Sequence, residues 1–170
     1  VDFTDVAQCS QNYEDYIAKA AGAGEEELTY LGIALKQLIT ARKVSCTLTL
    51  EDKVHDKKES VELPRFLFVT CMSHRYEGGG FMFCPPAVDH DGGLDLCSVG
   101  NISKGLVLLA LPTAFFGKHY FVKGINAHTA TQMSITASAP LWVHTDGEVT
   151  RKSRGFRVEC LPGAIRMITP

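Results

Sequence analysis

With 170 residues, 45% of them hydrophobic and 21% charged, the chain has the composition of one ordinary globular domain with a sizeable core, and is too short for two large ones. A formal charge of −2 excludes a dedicated nucleic-acid binder: the most basic window, Arg151-Lys152-Ser153-Arg154, holds three charges and reads first as a solvated turn. No stretch approaches the ~20 apolar residues of a membrane span, and VDFTDVAQ has neither the basic flank nor the apolar run of a signal peptide, so a cytoplasmic setting is expected.

In chain order, Val1–Gln8 reads as a strand, and an opening without Met suggests a fragment. A short helix then runs from a Ser10 cap to about Ala21, ended by Gly22-Ala23-Gly24. Glu25-Glu26-Glu27 suits the positive end of a second helix, on which Leu28, Leu31, Leu35, Leu38 and Ile39 fall on one face to about Arg42. After Lys43 the pattern alternates, with Cys46, Leu48 and Leu50 on one side, as in a half-buried strand. Glu51–Ser60 reads as an exposed hairpin loop and Arg65–Met72 as a strand covered on both faces.

Beyond a glycine-rich passage, Leu94–Val99 is a strand and Ser103 caps a helix through Leu111, with Pro112 and Gly117 bracketing a turn. Met133–Ala137, Leu141–His144, Gly155–Cys160 and Ala164–Ile168 complete a mainly β (α+β) chain. The expected architecture is an antiparallel β-sandwich or barrel with two or three helices, in a single domain over residues 1–170. The six cysteines show no C-x-x-C spacing and read as reduced core residues.

Two stretches carry chemistry. Gly78–Asp95, GGGFMFCPPAVDHDGGLD, combines glycines that permit sharp bends with Pro85-Pro86, which stiffen them, and would present Asp89, Asp91 and Asp95 from a rigid frame. Such a frame suits a metal or a polar head group; a solvated turn without a ligand is the other reading. His144-Thr145-Asp146-Gly147-Glu148 is either a plain hairpin turn or a corner offering a carboxylate as a general base at a cleft. His90, between two aspartates, reads as a surface histidine or a ligand to a transition metal, whereas His55, His74, His119 and His128 form no recognisable spacing.

The motifs in series resemble a known family. Gly78-Gly79-Gly80, Pro85-Pro86-Ala87, Asp91-Gly92-Gly93-Leu94-Asp95, Leu106–Leu111 with Gly117-Lys118-His119, Asp146-Gly147-Glu148, and Leu161-Pro162-Gly163-Ala164-Ile165 resemble, in order and spacing, the C-terminal domain of the diacylglycerol kinase, sphingosine kinase and bacterial lipid kinase superfamily. Ser73 departs from the pattern, standing where that family usually has asparagine. The resemblance implies the second domain of a two-domain, ATP-dependent lipid kinase. The family's Gly-Gly-Asp-Gly loop for ATP does not occur in this sequence, so no phosphotransfer is expected from these residues alone.

By the same resemblance Asp91 would bind Mg2+ through its side chain, with Val88 and Gly93 supplying carbonyl oxygens; of the other acids in the stretch, Asp89 is left to stand behind it. Glu148 would be the general base on a lipid hydroxyl, supported by Asp146, and Leu106, Leu109, Phe115 and Phe116 are candidates to line an apolar cleft. Implied partners are the lipid substrate, the chain's own N-terminal nucleotide-binding domain with ATP, and a transient membrane surface; a homodimer is among the assemblies the resemblance admits. Two alternatives stay open at this point: a stand-alone metal-dependent β-sandwich binding module, and a domain of an NAD-kinase-like enzyme.

Overall fold

The computed structural model describes residues 2–4, 39–77, 80–146 and 148–164. These form seven strands, β1 (Asp2–Thr4), β2 (Val44–Asp52), β3 (Lys57–Met72), β4 (Leu94–Gly100), β5 (Ile125–Ala130), β6 (Gln132–Thr145) and β7 (Glu148–Glu159). One helix, α1 (Lys104–Ala114), and a 3-10 turn, His119–Phe121, lie between β4 and β5. The helix expected over residues 10–21 lies outside the described residues, as does most of the one over 25–42, of which Ile39 and Thr40 are helical.

All strand pairs are antiparallel. Thr4 lies opposite Phe68 and Val44 opposite Phe66, so the chain leaves a single strand line after β1 and re-enters it at β2. That line is flanked by β3 on one side and β6 on the other, with β4 and β5 beyond β3, and β7 beyond β6. Only Thr131 separates β5, which pairs with β4, from β6, which pairs with β2 and β7. A one-residue link between strands so far apart in the pairing order requires the sheet to roll over on itself. The corner is pinned at Thr131, whose N–H donates to the Glu51 carbonyl at 2.9 Å and whose own carbonyl accepts from Cys160 N at 3.0 Å. The result is the expected β-sandwich-like fold.

Strand alternation divides the apolar residues between two cores. Leu48, Leu50, Phe66, Val69, Leu96, Met133, Ile135 and Leu141 fill the inside of the rolled sheet. At roughly 1.5–3 kcal/mol for each fully buried large side chain, this is the main stabilising mass of the domain. Leu67, Met72, Cys97 and Val99 project from the other face and are covered by Val107 and Ala110 of α1 together with Cys84 and Ala87. Cys46, Cys71, Cys84 and Cys97 are free and buried, as composition and spacing implied; Cys160 is free but only half-buried, and Cys9 lies outside the described residues.

Several boundaries differ from the sequence reading. The loop expected over residues 51–60 shrinks to a turn at 53–56, because Glu51 ion-pairs with Lys58 across the hairpin and Asp52 Oδ1 accepts from the N–H groups of Val54 and His55. The helix does not stop before Pro112 but runs to Ala114; a proline this close to the C-terminus disturbs only the last turn, where the Thr113 hydroxyl donates to Ala110 O at 2.6 Å. The segments at 133–137 and 141–144 join into one strand across a register shift. β7 starts at Glu148, well before Gly155. Residues 161–164 form no strand, and the rest of the stretch expected over 164–168 lies outside the described residues.

Candidate functional site

The passage between β3 and β4 is held by its own backbone. Glu77 N donates to Phe81 O at 2.8 Å and Cys84 N to Arg75 O at 3.3 Å. The Ala87 N–H donates to Cys84 O at 3.0 Å, closing a turn over the two prolines. Arg75 Nε reaches the Ala87 carbonyl at 3.3 Å, tying the two ends of the passage. Asp91 then accepts from Gly93 N through Oδ1 at 2.7 Å, an Asx turn that fixes its carboxylate at an exposed position. Gly92, at φ +77, is required here: a Cβ would lie 3.1 Å from Pro162 Cγ. The Leu161-Pro162-Gly163 stretch is thus packed against the Asp91 turn.

Asp89 and His90 lie on the surface and pair through His90 Nδ1 at 2.7 Å, which holds the Asp89 carboxyl below the usual carboxylate range. Val88 is half-buried. Asp95, by contrast, is 4% exposed at the head of β4. Burial pushes its pKa up, and the Asp91 charge adds to the rise; the Thr129 hydroxyl, donating at 2.9 Å, acts in the opposite sense. Among the described residues no group of three or more His, Cys, Asp or Glu is placed to hold a metal. What the turn offers is one exposed carboxylate, that of Asp91, already accepting from Gly93 N; carboxylate oxygens are donors of the kind hard cations take, with water completing the shell.

β6 ends at Thr145 and β7 begins at Glu148, with Asp146 exposed at φ +49, a conformation common in tight hairpins. Glu148 opens β7 opposite Thr145. The sheet register relates this hairpin to the Asp91 turn. Thr70 and His144 flank Asp2, Met72 and Asp146 lie two residues further along in the same direction, and Met72 pairs with Asp95. Both acidic features therefore lie at one end of the sheet, three strand steps apart, on the order of 14 Å along it. Alternation sets Thr70, Asp95 and His144 on the face opposite the rolled-up core, since Val69, Leu94, Leu96 and Val143 belong to that core.

Between that second face and α1 lies a narrow apolar cavity of about 20 Å³, lined by Phe68, Phe83, Cys97, Val99, Val107 and Ala110, with His119 at its edge. His119 was given no role by sequence reasoning beyond its place in Gly117-Lys118-His119. It is 3% exposed, its Nε2 donates to Phe83 O at 3.1 Å, and its Nδ1 is buried without a partner. Burial holds its pKa below the usual imidazole value. Tyr120 donates to the same carbonyl at 2.6 Å, and burial pushes its phenol up and the Cys97 thiol to about 12. Gly117, at φ +64, joins this cluster to the proline loop; a Cβ there would meet Pro85 Cγ at 2.7 Å.

Of the four residues expected at an apolar cleft, Leu106 lines an open groove of about 490 Å³ with Ile102, Ser103 and Lys123. Phe115 stacks on Phe81 with ring centroids 4.2 Å apart. Leu109 and Phe116 point to solvent. They do not converge on one enclosed cleft.

Comparison with known proteins finds that residues 11–169 match the family model described as the YegS C-terminal NAD kinase beta sandwich-like domain. Proteins named "Probable lipid kinase YegS-like" from Xanthomonas euvesicatoria pv. vesicatoria (strain 85-10) and Xanthomonas campestris pv. campestris (strain 8004) are 35% and 36% identical over 98 residues, 56% of this chain. The match spans only 31% of the length of each of those relatives. A Bacillus anthracis str. Sterne structure described as a candidate diacylglycerol kinase superposes with a TM-score of 0.55 at 22% identity, covering 82% of this chain and 43% of that one.

Proposed function

The chain belongs to the YegS C-terminal NAD kinase beta sandwich-like domain family, and on that premise we propose that it is the substrate- and base-bearing domain of an ATP-dependent lipid kinase acting on a lipid hydroxyl such as that of diacylglycerol. The observation that carries the reading is the common level of Asp95, Met72 and Asp146 at one end of the sheet. A nucleotide domain approaching that end would meet both acidic features at once.

In this mechanism Glu148 takes the proton of the lipid hydroxyl as the hydroxyl oxygen attacks the γ-phosphorus of ATP, the bond to the β,γ-bridging oxygen breaks and ADP leaves; the ATP is held by a domain carrying the Gly-Gly-Asp-Gly loop. Asp146, fixed by the hairpin, supports Glu148. Positioning of the two substrates supplies most of the acceleration, and the base roughly 10²–10⁴-fold. Asp91 through its carboxylate, and Val88 and Gly93 through their carbonyls, would hold Mg2+. Bound there, the ion would supply a fixed positive charge. The relatives named as lipid kinases favour a lipid over the nucleotide acceptor that the words NAD kinase in the family description bring in. The apolar cavity under α1, about 20 Å³, admits no acyl chain.

The full-length protein, assayed with radiolabelled ATP against a panel of lipids and NAD, tests the reading. Glu148→Gln should lower turnover by roughly 10²–10⁴-fold with an unchanged melting temperature; normal turnover removes the base assignment, and phosphorylation of NAD alone removes the lipid one. Calorimetric titration of Mg2+ into wild type and Asp91→Ala should give binding only in the first.

A further inference from the structure

Strand β3 lies between the two acidic features. On one side it pairs with β4, where Asp95 sits, and on the other β1 separates it from β6, which ends one residue before Asp146. β3 itself ends at Met72, level with Asp95, and three residues further on Arg75 stands exposed, past the last sheet pairing. Its Nε donates to the Ala87 carbonyl at 3.3 Å, and its own carbonyl accepts from Cys84 N at 3.3 Å. The proline turn thus grips this residue by side chain and backbone together. An arginine held through Nε has its plane fixed and keeps both Nη groups to donate elsewhere.

The guanidinium has no acid of its own. Among the described residues no carboxylate forms an ion pair with Arg75. Asp89 pairs with His90, and Glu77, two residues along, accepts from the Thr70 hydroxyl at 3.4 Å. Tying the loop spends only the Nε–H and needs no permanent charge, so the tie leaves the cation itself unexplained. The other cation beside this loop, Lys118, follows the Gly117 that packs on Pro85 and is exposed on a flexible stem, a point charge without the planar fork.

We propose that the Nη fork of Arg75 holds the γ-phosphate of ATP while it is transferred, between the Asp91 turn and the Asp146 hairpin. The inference rests on the kinase reading above, which sets the triphosphate at this end of the sheet. A planar guanidinium matches two oxygens of one phosphate. It also offsets the repulsion that the exposed carboxylates of Asp91 and Asp146 exert on a group whose charge spreads over its oxygens as the bond to the bridging oxygen breaks. Arg75 forms no covalent bond in the step and keeps its proton. It contacts the reacting group from the domain opposite the one that binds the nucleotide, so transfer is favoured only when the two domains meet.

The test is calorimetric binding of ATP and of ADP, with Mg2+ and without lipid, to the full-length protein. The wild type should prefer ATP, and Arg75→Met should weaken ATP by roughly tenfold or more while leaving ADP unchanged. Arg75→Lys, which keeps a charge and a donor for Ala87 O but not the fork, should recover part of the preference. A residue that only tied the loop would move both nucleotides together and lower the melting temperature. With lipid present, Arg75→Met should reduce turnover roughly 10³-fold at an unchanged KM for the lipid. Equal binding of ATP and ADP by the wild type, retention of the ATP preference by Arg75→Met, or its loss in Lys118→Met alone overturns the proposal. Loss of the preference in Arg75→Met of a protein that phosphorylates no lipid keeps Arg75 on the phosphate and removes the lipid reading instead.

Discussion

On one face of the sheet Leu48, Phe66, Val69, Met133, Ile135 and Leu141 pack without a polar side chain among them, and at the margin Ser98 and His128 satisfy each other at 3.1 Å. On the other face Thr70, Asp95 and His119 are buried beside Met72, Cys84 and Cys97. The first arrangement yields cohesion alone. The second tolerates a carboxyl shifted upward by burial and an imidazole nitrogen with no partner, both of which cost stability. Such costs concentrate where a protein handles a ligand, and here they lie on the face that carries α1, the proline loop and the Asp91 turn.

The contrast can be broken at four points. Phe66→Ala, on the dry face, should cost about 3–5 kcal/mol in urea unfolding; a loss below about 1 kcal/mol would mean that this core is not the stabilising one. Gly117→Ala forces a side chain toward Pro85 and Met82 at a positive φ, and should cost about 1–3 kcal/mol while loosening the loop over the second face. Asp95→Asn should act in the other direction. A carboxyl with a raised folded pKa contributes stability below its unfolded pKa of about 3.9 and loses it as pH rises through the folded value, so at pH 7 the amide should be the more stable by about 1 kcal/mol, or roughly 2–4 °C in Tm.

The smallest effect is the pH slope from His119. A depressed folded pKa means stability present above about pH 6.5 and lost as pH falls through the folded value, since the unfolded imidazole takes the proton first. His119→Phe should flatten melting temperature against pH below 6.5, with a residual slope from His128, which burial depresses in the same sense. An unchanged slope would show that His119 is solvated, and the second face would then be less dry than its burial implies.

Local patterns in the chain were enough for β2, β4 and the Ser103 cap, whose Oγ accepts from Leu106 N at 3.2 Å, because alternation and capping act over a few residues. The turn at Asp146 was legible for the same reason, as was the family, carried by motifs whose order survives in sequence. Boundaries failed where a partner strand decides them: Glu51 and Asp52 are polar enough for a loop, yet cross-strand bonds to Lys58 and within the turn keep them in β2. His119 went unread because a lone histidine signals nothing until the fold buries it against Phe83.

By itself the sequence determined a mainly β domain, the caps and turns that delimit its elements, and a set of motifs with a recognisable order. Only the tertiary structure decided that Pro162 packs on Gly92, that Asp146 ends level with Asp95, and that the outer side of α1 is left apolar. The reason is physical: capping, turn geometry and alternation are local free energies written in neighbouring residues, whereas register and burial are set by which distant strands the rolled sheet brings together.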